Sequence, residues 1–280
     1  MRVFITGIAG FLGRHLTEFL INKGHFVMGI DNNFDNVLKF RSMYPKVPVL
    51  HGSICNSLAL TEMRYLMMKH NITHVVHAAA NKYIEQNEES PFEALEVNIM
   101  GSANVANLCT ELKIGHLIAL STDKAVAPTS IYGHTKLMME ELMTVMGYAS
   151  YQGVNFFASD GSVIPIWYSQ AMANKSLTVR DLDCIRYFVP VSDVVSEIYE
   201  LLNLDTPPKG VFLPKHSYAV KLHDLLDAFL DHFNYADFVV GKVLPYEKVV
   251  EDINEKIIIK SSDKELIIEW LAQINPDDLI

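Results

Sequence analysis

The segment "TGIAGFLG", Thr6 to Gly13, constrains the fold of this chain more than any other. It places Gly7, Gly10 and Gly13 between a short apolar run, Arg2 to Thr6, and an amphipathic one, Phe11 to Lys23. The first run reads as a buried strand. The second repeats apolar residues at helical spacing (Leu12, Leu16, Phe19, Leu20), and Gly24 stops it. Glycines at such a turn allow a tight reversal, close approach of backbone to a diphosphate, and close helix packing. The helix N-terminus adds N–H donors and the positive end of a dipole. Asp31 ends the next strand, His25 to Asp31, 18 residues after Gly13. A carboxylate there accepts hydrogen bonds from both adenosine ribose hydroxyls. The expected ligand is a dinucleotide, NAD or NADP, with Asp31 favouring NAD. Arg14, Lys39 and Arg41 are alternative partners of a 2′-phosphate. Phe11 and Leu12 within the turn, with Ala78 and Ala79 at the end of a later strand, complete the expected cofactor site.

The strand–helix alternation continues. "VPVLHG" reads as a third strand, Ser57 to His70 as a helix, and "THVVHAAA" as a fourth strand. Pro91, suited to a first helical turn, opens a long helix to about Leu112. "HLIALS" is a fifth strand, and Ser130 to about Met146 is again helical. This pattern predicts an α/β chain with a Rossmann-type, doubly wound parallel sheet and a small C-terminal substrate-binding region. After Gly147 the pattern loosens. "YQGVNFFASDGSVIP" reads as strand then loop, "IWYSQAMANKSL" as a helix, and a strand or hairpin leads to a helix from Ser192. "PPKGVFLP" holds a strand and "KLHDLLDAFLDHF" an amphipathic helix. The expected division is a dinucleotide-binding domain over residues 1–155 and a mainly substrate-binding region over 156–280. The strand and helix near 186–204 are expected to return to the first domain.

Composition narrows the partners. Among 280 residues the formal charge is −10, which argues against nucleic acid while leaving room for a small local anion site. Three scattered cysteines with no Cys-x-x-Cys pair suggest free thiols in a reducing compartment. No apolar run is long enough to span a bilayer, and the opening "MRVFITGIAG" has no signal-peptide pattern. A soluble cytoplasmic protein with no membrane partner is expected.

The chemistry concentrates in "ALSTDKAVAPTSIYGHTKLMMEE", Ala119 to Glu141. Tyr132 and Lys136, four apart on a helix, share a face. A nearby ammonium lowers a phenol's pKa, so the pair suits proton removal from an alcohol as hydride leaves its carbon. Alone, the spacing fits a half-buried tyrosine beside a solvated lysine better; the upstream Gly-rich turn favours chemistry. Thr122 can hydrogen-bond the same hydroxyl. Asp123 and Lys124 follow a strand's C-terminal end, where ligands bind in open α/β sheets. An acid beside a base there suits proton transfers beyond oxidation, such as loss of water, or is an ordinary charged loop pair. His70, His74 and His77 run from a helix end into a strand, so no metal is expected. Met63, Met67, Met68, Met138, Met139 and Met143 read as core. Trp167 and Tyr168 suit a uracil pocket or burial between the two regions.

"TGIAGFLGRHL", "HAAANKYIEQNEESPFEALEVNIMGSANV" and "STDKAVAPTSIYGHTKLMMEE" resemble the extended short-chain dehydrogenase/reductases. Within them the chain is most similar to the inverting UDP-N-acetylglucosamine 4,6-dehydratases of the polysaccharide-biosynthesis group. The resemblance is strong to Glu141 and fainter through "GSVIP", "RYFVPVSDVV", "GVFLPKHSYAVKLHDLLDAF" and "LPYEK". It implies a lyase holding its NAD or NADP tightly and acting on a UDP-sugar. Thr122, Asp123, Lys124, Tyr132 and Lys136 would be catalytic, with Tyr132 and Lys136 also touching the cofactor. Lys82, Asn155, Ser162, Val163, Arg186 and Glu247 would meet the substrate. The family's Arg-Tyr-Gly-Asn is replaced here by Gln152-Gly153-Val154-Asn155, so Arg180 or Arg186 would have to face the diphosphate. Two other readings remain: a nucleotide-sugar 4-epimerase, and a dinucleotide-binding sensor without turnover. Relatives of this kind pair through the Tyr–Lys helix and its neighbour, so a homodimer or higher homo-oligomer is expected.

Overall fold

The computed structural model describes residues 1–242, 248–274 and 279. The chain forms two compact units, Met1–Gly153 with Ser192–Leu213, and Val154–Val191 with Pro214–Ile280.

The first unit is built on strands β1 (Arg2–Thr6), β2 (Phe26–Asp31), β3 (Val49–His51), β4 (His74–His77), β5 (His116–Thr122) and β6 (Ala149–Gly153), with Gly210–Phe212 as a seventh strand. All pair in parallel, in the order Gly210–Phe212, β6, β5, β4, β1, β2, β3. Val3, Phe4 and Ile5 of β1 are wholly buried, as a strand covered on both faces requires. The strand order reverses beside β1, so the open crevice of such a sheet lies at the C-terminal ends of β1 and β4.

The helices of this unit are α1 (Phe11–Asn22), α2 (Phe34–Met43), α3 (Ser57–Lys69), α4 (Ile84–Glu89), α5 (Pro91–Leu95), α6 (Ser102–Glu111) and α7 (Ile131–Val145). They pack Met63, Met67, Val105, Cys109, Met139 and Met143 against the sheet. Met68 and Met138 depart from the expected core role: they are 60% and 54% exposed, because each falls one position off its helix's buried stripe. Helix α2 escapes the periodicity reading because only Val37 and Phe40 are buried. Its start is fixed instead by Asn33, whose side chain accepts the Asn36 N–H. The long helix expected from Pro91 contains a π-helical turn, Glu96–Gly101, between α5 and α6. The Ser102 hydroxyl donates to the Asn98 carbonyl at 2.7 Å within this stretch.

In the second unit Ile258–Ser261, His216–Lys221, Ile185–Val189 and Asn155–Phe156 form a mixed four-stranded sheet, while Phe238–Val240 pairs with Leu177–Val179. Strand Ile185–Val189 therefore does not return to the Rossmann sheet. Its backbone pairs with His216–Lys221 and Asn155–Phe156, and only the helix Val191–Leu202 that follows joins the first unit. The helix expected from Ile166 begins at Val163, since Pro165 sits in a first turn without costing a hydrogen bond. Trp167 is wholly buried in the core of its own unit, with Leu225, Phe229 and Ile267. Its indole N–H donates to the Thr178 carbonyl at 3.0 Å, so it lines neither of the surfaces expected for it.

Candidate active site

The Gly-rich turn has three different glycines. Gly7 has φ +71°, and a Cβ there would lie 2.8 Å from the Ala79 nitrogen. Gly13 allows α1 to sit on the turn, since a Cβ would come 2.3 Å from the Gly7 carbonyl oxygen. Gly10 differs: the one neighbour of its missing Cβ is the Gly7 oxygen at 3.3 Å. Gly10 also begins α1 with no side-chain cap, and Phe11 and Leu12 are the buried residues that follow. This leaves first-turn N–H groups suited to an anion.

Asp31 has a role the sequence did not reveal. Its Oδ2 accepts the Ala9 N–H and its Oδ1 the Asn33 N–H, both at 3.0 Å. It thereby ties the Gly-rich turn to the start of α2. Burial pushes its pKa up, and the surrounding backbone N–H groups oppose that rise. Ala78 and Ala79 are held over β1, the first by the Thr6 carbonyl and the second by the Thr6 hydroxyl. Arg41 donates to the Val49 carbonyl and Arg14 to the Ala9 carbonyl.

The structure brings Thr122, Asp123, Lys124 and Tyr132 together at the end of β5. Asp123 and Lys124 lie on a short 3-10 turn, Asp123–Ala125, that Thr122 caps by accepting the Lys124 N–H. Asp123 is 2% exposed. Its Oδ1 accepts the Thr122 hydroxyl at 2.8 Å and the Lys124 ammonium at 3.2 Å. The half-buried Tyr132 phenol is pushed up by burial. The Lys124 ammonium opposes that shift, Asp123 adds to it, and the Thr122 hydroxyl opposes it. The one Thr122 proton serves either Asp123 or Tyr132, and the geometry gives it to Asp123.

Lys136 lies four residues after Tyr132 on α7. It is 4% exposed, and its ammonium donates to the Leu120 carbonyl of β5. Burial lowers the Lys136 pKa to about 8, and Glu140 works against that fall.

A polar layer that sequence reasoning missed grips the turn carrying Tyr132. The Thr135 hydroxyl donates to the Tyr132 carbonyl at 2.8 Å and accepts the Asn98 amide at 3.0 Å. Asn98, in the π-helical turn, also binds the Asn81 backbone through N–H and carbonyl. Glu88 of α4 accepts the Ile131 N–H at 2.6 Å, and Ser130 accepts the Gly133 N–H at 3.1 Å. These residues are scattered in sequence, and only the Ser130 cap has a local signal. His77 lies behind them, its ring nitrogens 2.7 Å from the Thr6 hydroxyl and 2.8 Å from the Ser102 hydroxyl.

The residues expected at the substrate are dispersed. Lys82, exposed between β4 and α4, holds its ammonium 5.3 Å from the centre of the Tyr83 ring. In the second unit the Asn155 amide donates to the Tyr187 carbonyl and to Glu251, at 3.0 and 2.7 Å. Arg186 reaches the same Glu251 at 3.7 Å and the Ile185 carbonyl at 3.0 Å. Its fork is thus engaged by the protein, and Glu251 is a member of this cluster that the sequence did not signal. Ser162 precedes the helix that Val163 begins, and its hydroxyl makes no hydrogen bond among the described residues. Glu247 lies outside the described residues.

A parallel sheet with a Gly-rich first turn and a Tyr-x-x-x-Lys helix defines the extended short-chain dehydrogenase/reductase class. Residues 3–256 match the profile of the family described as polysaccharide biosynthesis protein, and the chain belongs to that family. An inverting UDP-N-acetylglucosamine 4,6-dehydratase of Campylobacter jejuni is 27% identical over 283 aligned positions, covering 96% of this chain and 80% of that one. A UDP-glucose 4-epimerase of Rickettsia rickettsii is 29% identical, with 83% and 71% covered. In fold the chain is similar to DesIV, a dTDP-glucose 4,6-dehydratase from Streptomyces venezuelae solved with NAD and TYD bound. The TM-score is 0.82, at 15% identity over 98% of this chain and 97% of that one. Among the described residues no helix is long and apolar enough to cross a membrane.

Proposed function

We propose that the protein is a nucleotide-sugar 4,6-dehydratase acting on UDP-N-acetylglucosamine with inversion at C5. The observation that carries this reading is the ion pair of buried Asp123 with half-buried Lys124 at the end of β5, electrostatically joined to Tyr132. Oxidation alone has no use for that pair.

The open side of Gly10 and the uncapped start of α1 fit a dinucleotide diphosphate, and Asp31 at the end of β2 fits an adenosine ribose, favouring NAD. A bound nicotinamide dinucleotide supplies the hydride acceptor for C4 and the donor for C6, with no net change over the cycle. Tyr132, assisted by Lys136 and by Thr122 once its hydroxyl turns from Asp123, takes the proton of the C4 hydroxyl. The resulting C4 ketone acidifies C5. With the proton of their 3.2 Å ion pair passed from Lys124 to Asp123, the neutral Lys124 amine removes the C5 proton and the Asp123 acid protonates the departing C6 hydroxyl, so that water leaves across C5–C6 and the ion pair is restored. Reprotonation at C5 from the opposite side inverts that centre, and the product is a UDP-linked 4-keto-6-deoxy sugar. Lys82, Asn155, Ser162, Val163, Arg186 and Glu247 are proposed substrate contacts. Arg186 serves as a phosphate ligand only if it exchanges Glu251 for the anion.

A 4-epimerase is the second reading, favoured by the Rickettsia relative. It uses Tyr132 and Lys136 and leaves Asp123 and Lys124 idle. Mass spectrometry of the products of UDP-N-acetylglucosamine separates them: loss of one water supports the dehydratase, and an unchanged mass with altered retention supports the epimerase. A second copy of the chain is the proposed partner of the apolar side chains Phe92, Leu95, Met100, Met138 and Val145, all exposed. Sedimentation of the Phe92→Glu variant as a monomer, against a wild-type dimer, checks this.

A further inference from the structure

Glu140 takes no part in the steps above, yet it is sealed into the core of the first unit. It lies four residues beyond Lys136 on α7, so the two share a helix face, and it is 5% exposed. Its carboxylate accepts the Gln152 side-chain amide at 2.9 Å. Gln152, also 5% exposed, lies on β6, and its backbone pairs with Ser121 on β5. An ionised carboxylate is costly to bury without a counter-charge and hydrogen bonds. Gln152 supplies the hydrogen bond. The opposite charge one turn earlier on the same helix is Lys136, the one lysine or arginine buried among the described residues. Lys136 meanwhile spends a hydrogen bond on the Leu120 carbonyl, at the end of the sheet where Tyr132 works.

We propose that Glu140, fixed by Gln152, is a positioning residue that keeps the buried Lys136 charged and so sets the pH range over which Lys136 supports Tyr132. This rests on the reading that Lys136 belongs to the active site. The surrounding groups agree. Burial lowers the Lys136 pKa and Glu140 raises it. Burial raises Glu140, while Ser121, Gln152 and Lys136 lower it and Glu141 raises it. The Lys136 charge also lowers the pKa of His77 on β4. Asp123 and Lys124, on the turn after β5, act on Tyr132.

The test reads Lys136 directly in the intact protein. NMR titration with 13C-labelled lysine, with the Lys136 signal assigned by its loss in Lys136→Arg, gives the midpoint without substrate. Glu140→Gln is expected to lower the midpoint by about one pH unit, a tenfold loss of proton affinity, and Glu140→Asp to recover part of it. Gln152→Leu, which leaves the carboxylate unsupported, shifts it the same way by less. It keeps the proposal testable should Glu140→Gln fail to fold. A midpoint unmoved in the folded variants, even with a lower Tm, overturns the proposal and leaves Glu140 a packing residue. Because the titration needs no turnover, failure of the dehydratase reading does not affect it. With turnover, the pH profile of kcat moves with the midpoint while KM for the UDP-sugar stays constant.

Discussion

Lys124 is the residue on which most of the chemistry converges. It is bonded to Asp123 at 3.2 Å and is the cation that holds down the Tyr132 phenol. Lys124→Ala is therefore expected to do two things. Cofactor binding, followed by fluorescence, persists, because the Gly-rich turn and Asp31 are untouched. Exchange of the C5 proton with deuterated solvent falls at least 100-fold, on the order of what a positioned acid–base group contributes. Loss of the ammonium also lets the phenol pKa rise, so the residual oxidation at C4 needs higher pH. Undiminished exchange removes Lys124 from the mechanism. The Tyr132–Lys136 spacing was legible because a helix fixes which residues share a face. That Lys124 also acts on the phenol was not legible. It depends on the 3-10 turn that carries Lys124 past the end of β5.

Helix α7 and the Gly-rich turn hold the site through their ends. Ser130→Ala removes the hydroxyl that accepts the Gly133 N–H, and is expected to cost about 1 kcal/mol in urea unfolding. Glu88 and the Asn98–Thr135 bond still hold the first turn, so kcat changes less than stability does. Gly13→Ala is harsher, since its Cβ meets backbone at 2.3 Å. A loss on the order of 3 kcal/mol, with weakened dinucleotide binding, is the expected result of the same measurement. Elements with full apolar periodicity, β1, α1, β5 and α7, were readable from the sequence. Those set by tertiary pairing or a single cap were not. Helix α2 depends on Asn33, and Ile185–Val189 on backbone partners distant in sequence.

The whole first unit carries a pH dependence through His77. The Ser102 hydroxyl donates to the Asn98 carbonyl, so it accepts from Nε2 of His77, and Nδ1 accepts from Thr6. The ring is neutral and satisfied, and burial beside Lys136 lowers its pKa to about 3. The unfolded chain takes up this proton near pH 6.5, and the folded one resists it. Stability is fully present above that point and falls as pH drops toward about 3, by about 1.4 kcal/mol per pH unit for one proton. Urea unfolding from pH 7 to pH 4 should show His77→Gln with a correspondingly shallower slope; an equal slope would place the acid sensitivity elsewhere. At the same scale, family membership leaves the chain between dehydration and epimerisation, and what weighs for dehydration is Asp123 and Lys124. Proton NMR of the reaction with UDP-N-acetylglucosamine in deuterated water tests that most directly. A new C6 methyl resonance with deuterium at C5 is the predicted result. Inversion at C4 with no solvent deuterium at C5, or no turnover of any UDP- or dTDP-sugar, would contradict it.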